Sequence, residues 1–102
     1  MINLTVDNFE SKIEEGSNLV FFWGPNCTKC HALKPRVEEV EEDYGNVSFY
    51  DVNIRDSRNL AKSEGVRTLP TIIFYENGVK KQVLTGNDAN LDEILDQLDE
   101  ID

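Results

Sequence analysis

The sequence predicts an α/β fold, a mixed central β-sheet in the order β-α-β-α-β-α-β-β-α with helices on both faces. Three observations carry this. Leu19-Val20-Phe21-Phe22-Trp23 is an unbroken apolar run of strand length, the pattern of a strand covered on both faces of a sheet. Strand-like and helix-like segments alternate through the first part of the chain, as they do where parallel strands are joined by crossovers. Finally, Thr71-Ile72-Ile73-Phe74-Tyr75 is β-branched and aromatic, and the Asn77-Gly78 pair behind it is favoured in two-residue hairpin turns, so the sheet closes with an antiparallel pair.

Each element has its own local reason. Residues 2–5 read as a short first strand. Asp7 with Glu10 three positions on resembles a capping box, opening a helix that carries Phe9 and Ile13 inward and is closed by Gly16. The strand at 19–23 belongs in the centre of the sheet. After it, Leu33, Val37, Val40 and Tyr44 recur at helical spacing, while Glu38, Glu39, Glu41 and Glu42 fill the other faces. Pro35 lies inside this helix and is expected to kink it, because proline removes a hydrogen bond and crowds the preceding turn. Residues 47–53 alternate as a strand, and 57–64 form a short helix ended by Gly65. Residues 80–85 return antiparallel, with Lys80 and Lys81 protecting an edge strand from unwanted pairing. The last helix places Leu91, Ile94, Leu95, Leu98 and Ile101 on one face. Its acidic end, Asp99, Glu100 and Asp102, opposes the macrodipole and is expected to fray.

A chain of 102 residues has room for one hydrophobic core, so residues 1–102 are expected to form a single domain. An apolar fraction of 39% supports a folded protein rather than a disordered one. Twenty acidic against ten basic residues give a net charge of −10, which repels phosphate backbones and anionic membranes and argues against nucleic-acid binding. No segment is long enough to span a bilayer, and the first residues lack a positive stretch followed by an apolar run. A cytoplasmic location is the expectation. Stable disulfides are rare there, and a CxxC near a βαβ pattern reads as redox-active.

Cys27-Thr28-Lys29-Cys30 names the chemistry. These are the only cysteines, placed after the central strand and before a helix. At this spacing on a helix the two Cβ atoms lie roughly 5–6 Å apart, so the pair can close and reopen with little backbone movement. As a staple it is poor, since so small a loop contributes only about 2 kcal/mol before strain. Attack on a disulfide requires a thiolate, and a thiol with its ordinary pKa near 8.5 is only about 3% ionised at pH 7. Cys27 sits at the expected helix N-terminus, where free N–H groups favour an anion, and Lys29 adds a cation. His31 either raises the positive potential near the thiols or is a surface residue. With Cys27 and Cys30 it offers three metal ligands where a closed zinc site takes four, so no metal is expected.

Several separated signals resemble the thioredoxin family, over essentially the whole chain. Phe22-Trp23-Gly24-Pro25-Asn26-Cys27-Thr28-Lys29-Cys30 is similar to the family's active-site segment, with Trp23 at its strand-end tryptophan. Pro35 matches the helix-kinking proline, Val66-Arg67-Thr68-Leu69-Pro70-Thr71 the loop whose proline is cis and faces the cysteines, and Gly86 a glycine near the substrate groove. The resemblance implies the thioredoxin fold and a thiol–disulfide oxidoreductase working through a mixed disulfide, with Cys27 attacking and Cys30 resolving. It implies a groove for an extended substrate at Thr68, Leu69 and Pro70, walled by Trp23, Asn26 and Gly86. Disulfide-containing proteins are the implied substrates and a flavin-dependent thioredoxin reductase the implied electron source, for a monomer that needs no bound cofactor.

The sequence departs from the family at four places. Asn26 stands where the family commonly has tryptophan, and Thr28-Lys29 where it has Gly-Pro. Phe21 replaces a buried aspartate, and Asp51 a lysine on the third strand. Asp51 is the candidate replacement as proton acceptor for Cys30; the plainer reading is a solvated strand-end aspartate. Two other roles compete with a general reductase. One is a dedicated electron donor to one enzyme such as ribonucleotide reductase. The other is an interaction module with incidental thiols, binding its partner through the acidic surface.

Overall fold

The computed structural model describes residues 1–101. Its strands are β1 (Ile2–Asn3), β2 (Ser17–Trp23), β3 (Val47–Asn53), β4 (Thr71–Glu76) and β5 (Val79–Thr85); its helices are α1 (Phe9–Ile13), α2 (Thr28–Val40), α3 (Arg58–Ser63) and α4 (Leu91–Ile101). The strands form one sheet in the order β1-β3-β2-β4-β5. β1 and β2 flank β3 in parallel, β4 runs antiparallel to β2, and β5 antiparallel to β4. This is the predicted element order and the predicted mixed sheet.

β2 occupies the centre, and its composition explains why. Residues alternate between the two faces of a strand, so a strand buried on both needs apolar groups throughout. Leu19 and Phe21 enter one core with Leu33 and Val37 of α2 and Ile94 and Leu98 of α4. Val20 and Phe22 enter the other, with Phe9 and Ile13 of α1 and Leu60 and Ala61 of α3. The one buried polar residue of β2, Asn18, donates to the carbonyls of Ile13, Glu15 and Gly16, which ties the strand to the end of α1.

The Asn-Gly turn forms as expected. Asn77 and Gly78 both take positive φ, 51° and 84°, the backbone that a two-residue hairpin turn between twisted strands requires. Gly65 ends α3 at φ 82°. Lys80 and Lys81 lie on the edge strand β5, and the Lys80 ammonium donates to the Glu64 carbonyl at 2.7 Å.

Four expectations are corrected. β1 stops at Asn3, although the Leu4 N–H still donates to the Asp51 carbonyl of β3 at 2.8 Å. Asp7 does not cap α1: the Asn8 carboxamide accepts from the Thr5 N–H at 2.8 Å, and this turn fixes the start of the helix at Phe9 with Asn8 before it. Gly16 does not close that helix, which ends at Ile13; it sits in the following turn at φ 71°, its N–H donating to Asn77 Oδ1. α4 does not fray within the described residues, for it runs through Ile101, and Asp99 accepts from the Tyr44 hydroxyl at 2.6 Å. Asp102 lies outside the described residues. α2 continues through Pro35, where proline has no N–H to give the preceding turn.

Tyr75 of β4 is buried against Phe9, ring centroids 5.6 Å apart, and its hydroxyl donates to Glu64. Burial, then the hydrogen bond and the charge of Glu64, push the phenol well above its ordinary range. Below about pH 10 both the folded and unfolded phenols are neutral and stability is unaffected; above it the unfolded chain loses a proton that the folded chain keeps. Stability is therefore expected to fall with rising pH there, Tyr75 contributing up to about 1.4 kcal/mol per pH unit. Urea unfolding at pH 9 and 11 checks this: Tyr75→Phe is expected to flatten the decline, and an equally steep decline in the variant would contradict it.

Candidate active site

The topology gathers four loops at one edge of the sheet. β2 and β3 are parallel and end together, Trp23 beside Asn53, and the Ile54 N–H donates to the Trp23 carbonyl at 2.9 Å. β4 starts at the same edge, Thr71 opposite Phe22, and β5 ends there, Thr85 opposite Thr71. Residues 24–27, 54–57, 66–70 and Gly86 thus meet although they are far apart in sequence. Ligands of open α/β sheets bind at such an edge, outside the carboxyl ends of parallel strands.

Cys27 is the N-cap of α2, in extended backbone, and is half-buried. Its sulfur is joined to that of Cys30 in a disulfide whose Cα atoms are 5.2 Å apart, inside the usual span for such bonds. The Cys27 sulfur also accepts the Cys30 backbone N–H at 3.1 Å. In an N-cap, a side-chain acceptor satisfies an N–H that the helix itself leaves unpaired. Here that acceptor is the sulfur. Cys30 is buried in the core between the sheet, α2 and α4.

Leu69 precedes a cis peptide bond to Pro70, as the resemblance implied. It packs on the turn before Cys27 closely: a Cβ built on Gly24 would lie 3.0 Å from its Cδ1, so a larger residue there would require the Leu69 side chain to shift. The Thr71 hydroxyl holds this loop by bonding the Thr68 carbonyl and, at 3.0 Å, the Thr85 hydroxyl. Asn26, Cys27 and Leu69 border an open recess of about 340 Å³. Thr68 and Gly86 share the sheet edge but do not line that recess; Gly86, at φ 62°, begins a short 3₁₀ turn.

Trp23 stands apart from the recess and organises the other flank. Its indole N–H donates to Asp51 Oδ1 at 3.0 Å, His31 meets its ring edge-on at 6.0 Å, and the Lys34 ammonium lies 5.0 Å above it. His31 Nε2 pairs with the Pro25 carbonyl at 2.7 Å, bracing the turn that leads to Cys27. Lys29 is exposed on the first turn of α2.

Asp51 is not a solvated strand-end residue. It is 4% exposed, lies opposite Phe21 on β2, and by strand alternation points to the face that holds Phe49, Phe21 and Cys30. Its Oδ1 accepts from Trp23 and, at 2.8 Å, from the Asn3 amide of β1. Sequence reasoning named Asp51 and missed Asn3, because that contact depends on β1 pairing with β3. It also missed Arg55 and Arg58, which line the recess beside Cys27 from the loop after β3 and the start of α3.

Similarity to known proteins agrees with this geometry. The thioredoxin family model matches residues 1–100. The chain belongs to the thioredoxin family. It is 40% identical over 92 residues to the thioredoxin of Acetoanaerobium sticklandii, a match covering 87% of this chain and 88% of that one. It is 35% identical over 82 residues to chloroplastic thioredoxin M5 of Oryza sativa subsp. japonica, covering 78% of this chain and 48% of that protein, so it spans about half the length of this plant relative. Its fold superposes on Chlamydomonas reinhardtii thioredoxin f2 with a TM-score of 0.90, at 22% identity and covering 98% of this chain and 94% of that one.

Proposed function

We infer that this chain is a thiol–disulfide oxidoreductase that exchanges its Cys27–Cys30 pair with protein disulfides. The observation that carries the inference is the pair itself: one cysteine capping a helix at an open recess, joined to a second buried behind it, in a chain of thioredoxin type.

The reaction runs as two exchanges. With the pair reduced, the Cys27 thiolate attacks a substrate disulfide, a Cys27–substrate bond forms, and the other substrate sulfur leaves as a thiolate. The unpaired N–H groups at the start of α2 stabilise the Cys27 anion as they would any anion at a helix N-terminus, and Lys29 and His31 add to the local positive potential. Cys30 then attacks the Cys27 sulfur, restoring the disulfide and releasing the second substrate thiol. Two electrons pass to the substrate. Cys30 must first lose its proton, and Asp51, a buried carboxylate on the same face of the sheet, is the proposed acceptor. Asn3 and Trp23 hold that carboxylate in place.

The substrate strand is proposed to lie across Leu69 beside cis-Pro70, flanked by Thr68, Asn26, Trp23 and Gly86. Electrons return from a reductase of the flavin-dependent thioredoxin-reductase type. The chain is proposed to act as a monomer and as one domain, the latter supported by a radius of gyration of 12.2 Å, close to the roughly 13 Å of a single folded unit of this length. Among the described residues no helix is long and apolar enough to cross a membrane. Work in the cytoplasm, as a carrier of electrons, is the reading that suits one exchangeable cysteine pair better than a disulfide framework.

Reduction of insulin by dithiothreitol tests the function. The chain is expected to accelerate it and Cys27→Ser to abolish the acceleration; equal behaviour of the two would favour an interaction module with incidental thiols. Asp51→Asn is expected to slow resolution of the mixed disulfide about a hundredfold or more, the low end of what a positioned proton acceptor contributes. A resolving rate unchanged by Asp51→Asn from about pH 6 to 9 would remove Asp51 from the mechanism.

A further inference from the structure

We propose that the site selects disulfides carried in acidic segments of substrate proteins, through a cationic track that begins beside Cys27. This rests on the oxidoreductase reading and names its substrate class.

The track is made by charge segregation. Arg55 and Arg58 line the recess of about 340 Å³ next to Cys27. A second recess of about 140 Å³ adjoins it, sharing Ile54, Arg58 and Leu69, and adds Lys62 and Arg67. Four of the chain's ten cationic side chains therefore border these two recesses, and among the described residues no acidic side chain does. Asp56 follows Arg55 in sequence but lines neither recess. Arg55, Arg58, Lys62 and Arg67 are all exposed, and among the described residues none is paired with a carboxylate. In a protein of net charge −10, this sets two unpaired cations, Arg55 and Arg58, in the recess that holds Cys27 and two more, Lys62 and Arg67, in the recess adjoining it.

The shape points to a peptide. Two adjoining recesses with a shared apolar floor of Ile54 and Leu69 offer room for several consecutive side chains, more than a single amino acid fills. An extended segment whose cysteine reaches Cys27 would lay flanking Asp or Glu side chains against Arg55 and Arg58, whose planar guanidinium groups donate paired hydrogen bonds to carboxylates. Among the described residues the acidic side chains lie outside both recesses. At physiological salt, charges more than about 8 Å apart are largely screened, so the groups nearest the sulfur dominate the encounter. The exchange is the one described above: two electrons go from the Cys27–Cys30 dithiol to the substrate disulfide, and the two thiol protons end on the released sulfurs.

The test uses the full chain, reduced with dithiothreitol and then freed of it, in single turnover. The probes are two peptides carrying one cysteine as a neutral thiopyridyl disulfide, differing only in Glu or Gln at the flanking positions. Release of thiopyridone is followed, and each rate is divided by the same peptide's rate with dithiothreitol alone. The Glu peptide is expected to react about fivefold faster than the Gln peptide at physiological ionic strength, as two exposed charge pairs allow. The ratio is expected to fall towards 1 in Arg55→Gln/Arg58→Gln and to invert in Arg55→Glu/Arg58→Glu. Equal rates for the two peptides would overturn the proposal and leave the oxidoreductase reading standing. So would faster reaction with glutathione disulfide in the absence of any Glu preference, which would make a small anionic disulfide the occupant. Failure to react with either peptide would overturn both.

Discussion

Everything at this site depends on where α2 begins. β2 is buried on both faces and ends at Trp23; a turn braced by the His31–Pro25 contact then delivers Cys27 to the helix N-cap, where its sulfur accepts a backbone N–H. The same three-residue spacing that makes a cap makes a disulfide. Cys27 stays at the surface because it precedes the first helical turn, and Cys30 is buried because it completes that turn on the face packed against the sheet. The proposed attacker and resolver are thus separated by the geometry of one helical turn.

The second constraint is the sheet order. With β3 between β1 and β2, Asp51 lies within reach of Asn3 on one side and Trp23 on the other, and a buried carboxylate finds two donors. Burying such a group without partners would cost several kcal/mol, so the two hydrogen bonds are what make the position tenable. The same order brings the loop after β3 alongside the active turn. That loop carries Arg55, and α3 behind it carries Arg58, so the fold which supplies the proposed acid–base partner from β3 also supplies the charges at the recess from the segment that follows.

Much of this was legible in the residues. The apolar run at β2 pointed to a central strand, the Asn77-Gly78 pair to a two-residue hairpin turn, and the Leu69-Pro70 segment resembled a cis-proline loop that the structure contains. What escaped was decided by contacts between distant segments. Asn8 rather than Asp7 precedes α1 because its carboxamide reaches back to Thr5, an alternative that a capping-box pattern does not exclude. α4 holds its last turn because Asp99 meets Tyr44 from another element. Nothing in the local sequence of Arg55 and Arg58 says that the fold sets them in the recess beside Cys27.

Alkylation of the reduced chain tests most directly whether one sulfur is ionised and reachable while the other is withheld. Treated with iodoacetamide near neutral pH and mapped by mass, Cys27 is expected to react faster than the same cysteine in an unstructured peptide of residues 24–33, with Cys30 protected. Modification of Cys27 no faster than in the peptide, or of Cys30 first, would contradict the role given to the helix N-terminus and with it the exchange mechanism built on it.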